Sequence, residues 1–126
     1  MKKIINTKKA PAPIGPYSQA VLMGNLLFTS GQIALDPETG KLNTETIQIE
    51  TTLVMENLKA VLLEAEMTFN NIIKTTIFLS DMENFSEVNK IYGSYFNEAI
   101  APARETVEVS KLPKNVNVEI SVIASK

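Results

Sequence analysis

Ile72-Ile73-Lys74-Thr75-Thr76-Ile77-Phe78-Leu79-Ser80 is the stretch on which the fold turns. It is rich in β-branched residues, which suit a pleated strand. Its apolar side chains fall on both parities, Ile77 and Leu79 against Phe78. Successive side chains point to opposite faces of a sheet, so this strand is covered from both sides and is expected to lie centrally.

The segments on either side read as helices. Upstream, Ile47, Thr51, Val54, Leu58, Val61, Leu62 and Ala65 recur at three- and four-residue spacing. Glu50, Glu56, Asn57, Lys59 and Glu64 fall on the other side, which predicts an amphipathic helix over 46–66. Downstream, Asn84-Phe85-Ser86-Glu87 has the form of a capping box. The helix it opens is expected to run to about Asn97, turning Phe85, Val88, Tyr92, Tyr95 and Phe96 inward.

Further out, both ends of the chain are strand-like. Residues 2–7 suggest an edge strand. The prolines of Ala10-Pro11-Ala12-Pro13-Ile14-Gly15-Pro16 force an extended path. Tyr17 to Met23 and Leu26 to Thr29 read as strands joined by the two-residue turn Gly24-Asn25. Ser30-Gly31-Gln32 ends the second of these, and Gly31 allows close backbone approach by a ligand or another chain. Asp36-Pro37-Glu38-Thr39-Gly40 is a turn. Two strands close the chain, Arg104 to Ser110 and Val116 to Ala124.

The order is β-β-β-α-β-α-β-β, a single α+β domain over 1–126 with two helices on one face of a mixed sheet. Alternation groups Val107 with Val109, and Arg104 with Thr106 and Glu108. The valine face is expected under the helices, with Glu105 on that side. If the last two strands pair, Arg104 and Glu119 share the helix-free face. Val21, Met23, Leu27 and Phe28 offer further apolar surface, which favours a homo-oligomer that covers the second side.

Composition narrows the chemistry. The chain has no cysteine and no histidine. Disulfides, thiolate nucleophiles and every histidine-based triad are excluded. No acidic cluster has the spacing of a calcium loop, and no metal or cofactor is expected. A net charge of -2 argues against a nucleic-acid surface. The Ile4-Ile5 run is too short for a signal peptide, no window approaches a membrane span, and a cytoplasmic protein is expected.

Arg104 is the only arginine in the chain. Its planar fork of donors suits bidentate binding of a carboxylate, which lysine cannot reproduce. An anion clamp and a structural ion pair are both open for it on residue type alone. Lys59 and Lys74 have Schiff-base chemistry open to them in principle, with nothing around them to favour it.

Across nearly its whole length the sequence resembles the reactive intermediate deaminases (Rid, or YjgF-type, proteins), in particular the RidA branch. The resemblance rests on Ile14-Gly15-Pro16-Tyr17-Ser18-Gln19, Thr29-Ser30-Gly31-Gln32-Ile33, Pro102-Ala103-Arg104, Val107-Glu108-Val109, Leu112-Pro113-Lys114 and Val118-Glu119-Ile120 in that order. It implies a chorismate-mutase-like homotrimer with clefts between subunits. It also implies hydrolysis of 2-aminoacrylate, 2-iminopropanoate and related enamines or imines to 2-oxo acids and ammonia. By this likeness Arg104 holds the substrate carboxylate, and Tyr17, Ser30, Gly31, Asn89 and Glu119 line the cleft. The backbone at Thr106 contacts the ligand. Glu119 is the candidate general base.

The family usually carries serine and cysteine where this chain has Glu105 and Thr106, a departure that bears on substrate range. A related deaminase with another enamine substrate, a non-catalytic carboxylate-binding regulator or chaperone-like trimer, and a ribonuclease or translation inhibitor are the alternatives.

Overall fold

The computed structural model describes residues 1–126. Its strands are β1 (Lys2–Ile5), β2 (Ala20–Met23), β3 (Leu26–Thr29), β4 (Ile72–Leu79), β5 (Ala103–Glu108) and β6 (Val118–Ser125), and its helices are α1 (Ile47–Glu64) and α2 (Phe85–Gly93). They form one six-stranded sheet in the order β1-β2-β3-β6-β4-β5. The expected element order and the central place of β4 are both observed. β1 to β3 form an antiparallel meander, and Gly24 takes the positive φ of the first turn (58°).

The core lies between the sheet and the helices. Val54, Leu58, Val61 and Leu62 of α1 meet Ile77 and Leu79 of β4 and Val118, Ile120, Val122 and Ala124 of β6, all buried. α1 begins at Thr46, whose hydroxyl accepts from the Ile49 amide. That bond satisfies one of the donors a helix start leaves orphaned.

Two residues expected on the outer side of α1 are instead fully buried. Asn57 donates from Nδ2 to the Ile33 and Leu35 carbonyls, at 3.1 and 3.0 Å. Glu50 accepts from the Asn117 amide (2.7 Å), the Asn117 side chain (2.7 Å) and the Val118 amide (3.2 Å). A buried carboxylate is tolerable when such donors surround it. Glu50 thereby fixes the start of β6, and Asn57 fixes the segment beyond Gly31. Glu50→Ala strands three donors, each unmet one costing about 1–3 kcal/mol. It is expected to lower the urea midpoint by more than any exposed α1 substitution does.

α2 differs from the sequence reading at both ends. Asn84 has helical angles and makes no side-chain cap, so the capping box does not form. The Asp81 carboxylate accepts from Glu83 N (3.0 Å) and starts a 3-10 turn over Met82–Asn84 that runs into α2. Glu87 accepts from Gln48 instead. Beyond Gly93 the chain tightens into bonds from Tyr95 N to Tyr92 O and from Phe96 N to Gly93 O. The helix therefore stops short of Asn97.

The largest departure concerns the closing strands. β5 does not pair with β6; it pairs in parallel with β4, through α2 as the crossover, and β4 lies between the two. Register partners share a face, which sets Arg104, Thr75 and Val122 together toward the helices. Val107, Phe78 and Glu119 share the helix-free face. Val107 is thus 43% exposed rather than buried under a helix. Glu105 also lies on the helix-free face, where its Oε1 pairs with Lys74 Nζ at 3.0 Å. That pairing gives Lys74 an ordinary ion-pair role. Arg104 and Glu119 stand on opposite faces of the sheet.

The helix-free face carries an apolar patch that includes Met23 and Phe28 as expected, whereas Leu27 points the other way and is fully buried in the core. Ile4, Met23, Leu26, Phe28 and Val107 are each at least 39% exposed along it. No helix is long and apolar enough to cross a membrane.

Candidate functional site

The predicted site residues gather into two groups. The first surrounds a cavity of about 460 Å³ lined by Tyr17, Ser30, Gly31 and Glu119, with Ile14 and Lys114 among its walls. A local irregularity between β3 and β6 shapes it. Phe28 pairs with Ile123, whereas Gln32 bridges to Ile120. Between these pairs three residues, Thr29 to Gly31, therefore face two, Ser121 and Val122, and Ser30 and Gly31 fall at the excess. Such a bulge bends a strand and re-aims its side chains. The Thr29 hydroxyl accepts from Val122 N at 2.9 Å, and Gln32 exchanges backbone bonds with Ile120 at 2.8 and 3.1 Å, so the bulge is pinned at both ends.

Gly31 packs directly on Glu119. A Cβ at this position would lie 2.7 Å from Glu119 Cδ and 2.8 Å from Cγ. Only glycine lets the carboxylate occupy its present position. Gly31→Ala is therefore expected to displace the Glu119 side chain from the cavity wall, a shift that a crystal structure of the variant would show. Thermal melting should fall little, because the carboxylate is a movable side chain. Burial pushes the Glu119 carboxyl above the ordinary carboxylate range, since desolvation disfavours its charged form.

The rest of this wall is held by Gln19, which is fully buried. Its Oε1 accepts from Thr7 N (2.7 Å), and its Nε2 faces the carbonyls of Thr7, Ala10 and Pro11. One amide thus ties down the proline-rich segment that carries Tyr17. Ser30 donates to Ser18 O at 2.6 Å, which leaves its oxygen free to accept. Tyr17 is half exposed.

The second group lies across the sheet, beside α2. Arg104 borders a cleft of about 470 Å³ with Asn89, Tyr92, Phe96 and Glu98. Its Nη1 donates to Asn89 Oδ1. The guanidinium carbon sits 5.3 Å from the Tyr92 ring centre and 5.7 Å from that of Phe85. Tyr92 is fixed from below by donating to the Thr75 hydroxyl at 2.9 Å. Burial raises its own phenol pKa, against the lowering effects of Thr75 and Arg104. No carboxylate lies within ion-pair distance of Arg104, since the chain's two salt bridges are Lys74–Glu105 and Lys126–Glu66. The guanidinium is oriented by neutral partners and its charge is left uncompensated. Aromatic faces and an amide oxygen hold a cation in place without neutralising it.

Thr106 shares the Arg104 face of β5. Its hydroxyl is the one buried side-chain polar atom with no hydrogen-bond partner. No group of carboxylates could hold a metal ion.

The sequence profile described as Endoribonuclease L-PSP matches residues 7–126. The chain belongs to the Rid family. It is 54% identical to a RutC family protein of Synechocystis sp., over 97% of this chain and 95% of that one. TdcF of Escherichia coli K12, provisionally named a reactive intermediate deaminase, is 44% identical over 98% of this chain and 97% of its own. Among solved structures, the Rid protein YyfA of Yersinia pestis superposes with a TM-score of 0.97 at 51% identity, over the full length of both. E. coli TdcF with bound serine gives 0.92 at 42%, over 98% of each chain. The α+β class expected of a Rid protein is the one observed.

The sequence reading thus named members of both groups but set Arg104 and Glu119 on one face. It did not identify Gln19, Glu50 or Asn57 as the residues that hold the first cavity in shape.

Proposed function

We propose that this Rid protein hydrolyses reactive 2-imino and 2-enamino acids, such as 2-iminopropanoate and 2-aminoacrylate, to 2-oxo acids and ammonia. The carrying observation is the Arg104 guanidinium, fixed by Asn89, Tyr92 and Phe85 and matched by no acid of its own chain. A cation held in this way is ready for a small carboxylate. The serine-bound TdcF structure supports a ligand of amino-acid size.

The two groups open on opposite faces, so the reading requires a cleft between subunits. In it Arg104 of one protomer meets Tyr17, Ser30, Gly31 and Glu119 of its neighbour. The apolar helix-free face supports a homotrimer that buries it. Arg104 grips the substrate carboxylate with two parallel bonds. The Thr106 backbone and Asn89 border the same end. Glu119 removes a proton from water, and the oxygen adds to the iminium carbon. The resulting carbinolamine takes that proton from Glu119 on its nitrogen. As the C–N bond breaks and ammonia leaves, the hydroxyl proton passes back to the Glu119 carboxylate and the carbonyl forms, and ammonia then carries that proton off as ammonium. An enamine such as 2-aminoacrylate first takes a proton from water at C3 to become the iminium, and because the iminium is already electrophilic neither histidine nor a metal is needed. The raised Glu119 pKa makes it a stronger base than an exposed glutamate.

The family's ribonuclease description has little support in this chain, whose net charge is -2 and which lacks histidine. The deaminase reading is tested by generating 2-aminoacrylate from serine with a dehydratase and timing pyruvate release. Acceleration by this protein is expected. Binding of 2-oxo acids with no acceleration would favour a regulatory carboxylate sensor instead.

A further inference from the structure

The turn over Pro113–Asn115 holds two consecutive non-glycine residues in the left-handed region, Lys114 at φ 55°, ψ 22° and Asn115 at φ 56°. An L side chain with a Cβ is strained there, and such strain concentrates where a side chain must be placed for function. Glycine would fill either position without strain. Lys114 lines the cavity that contains Glu119 and Tyr17 and is the only cation among its walls. It forms no ion pair.

We infer that Lys114 is a specificity-determining residue that binds a second anionic group on the substrate, so that 2-imino acids with a carboxylate side chain are preferred. The inference rests on the deaminase reading and deepens it. There, Arg104 holds the α-carboxylate, and the iminium carbon faces Glu119. A lone ammonium on the same wall has no group left to address on a substrate with an uncharged side chain. Ile14, Ile33, Leu35 and Pro113 line the same cavity and can pack against the methylenes between the two acid groups.

The test is calorimetric titration of the whole protein with two stable product-type acids, 2-oxobutanoate and 2-oxoglutarate, which differ in the distal carboxylate. Wild type is expected to bind 2-oxoglutarate about tenfold tighter or more, the effect of one charge-assisted hydrogen bond. Lys114→Met should abolish that preference and leave 2-oxobutanoate affinity unchanged. Lys114→Gly should do the same while raising the melting temperature, because it also relieves the left-handed backbone. Equal affinities in wild type, or equal weakening of both acids in Lys114→Met, would overturn the inference and leave the deaminase reading standing. Failure of wild type to bind either acid would remove that reading and this inference together.

Discussion

Arg104→Ala is expected to lower kcat/KM for imino acid hydrolysis by about two to four orders of magnitude. The estimate comes from losing two charged hydrogen bonds of about 1.5–3 kcal/mol each. Arg104→Lys is expected to recover little. An ammonium keeps the charge but not the planar fork, and its single donor point cannot both stack between Phe85 and Tyr92 and grip a carboxylate at two places. Melting temperature should change little in either variant, because Arg104 is exposed and holds no ion pair. Activity that survives Arg104→Ala would mean the carboxylate is bound elsewhere.

Glu119→Gln is expected to reduce kcat by about 100- to 10,000-fold, the usual contribution of a general base. The pH profile separates this role from a purely steric one. In the proposed mechanism the active form is the carboxylate, and burial raises its pKa. The acid limb of wild-type kcat/KM should therefore fall at a higher pH than an ordinary glutamate near 4.3 would give. Stability should move the other way. A carboxyl whose folded pKa lies above its unfolded value binds the proton more tightly when folded, so its contribution is fully present below the unfolded pKa. It is lost as pH rises through the folded pKa. Glu119→Gln removes that loss, so at neutral pH the variant should be at least as stable as wild type while nearly inactive. A variant both unstable and inactive would point to a structural role.

Much of the fold was legible because it rests on periodicity. Both apolar parities of Ile72–Ser80 placed β4 centrally, and the spacing of Val54, Leu58 and Val61 marked the buried stripe of α1. Glu50 and Asn57 lie on that same rhythm, three or four residues from Ile47, Val54 and Val61. Residue type suggested solvent, but spacing placed them inside, where loop amides and carbonyls needed partners. Spacing deserved more weight than polarity.

The site was only half legible. Motif likeness and the lone guanidinium singled out Arg104 and Glu119, but strand parity fixes a face only once the pairing partner is known. The last two strands looked like a hairpin, whereas the α2 crossover forces β5 to run parallel to β4. Choosing the wrong neighbour reversed the face assigned to every β5 side chain, Glu105 and Val107 included. The bulge at Ser30-Gly31 left a weaker trace, a single glycine after a strand. Its purpose becomes visible only when β6 brings Glu119 against it.

Two half-sites on opposite faces of one sheet can act together only across a subunit boundary. The most direct measurement mixes Arg104→Ala and Glu119→Gln chains, each inactive alone, by co-expression or joint refolding. With random assembly about one cleft in four combines an intact Arg104 from one chain with an intact Glu119 from the other. The mixture should recover roughly a quarter of wild-type turnover by that count. A mixture as inactive as its two components, from chains shown to co-assemble, would contradict the shared cleft.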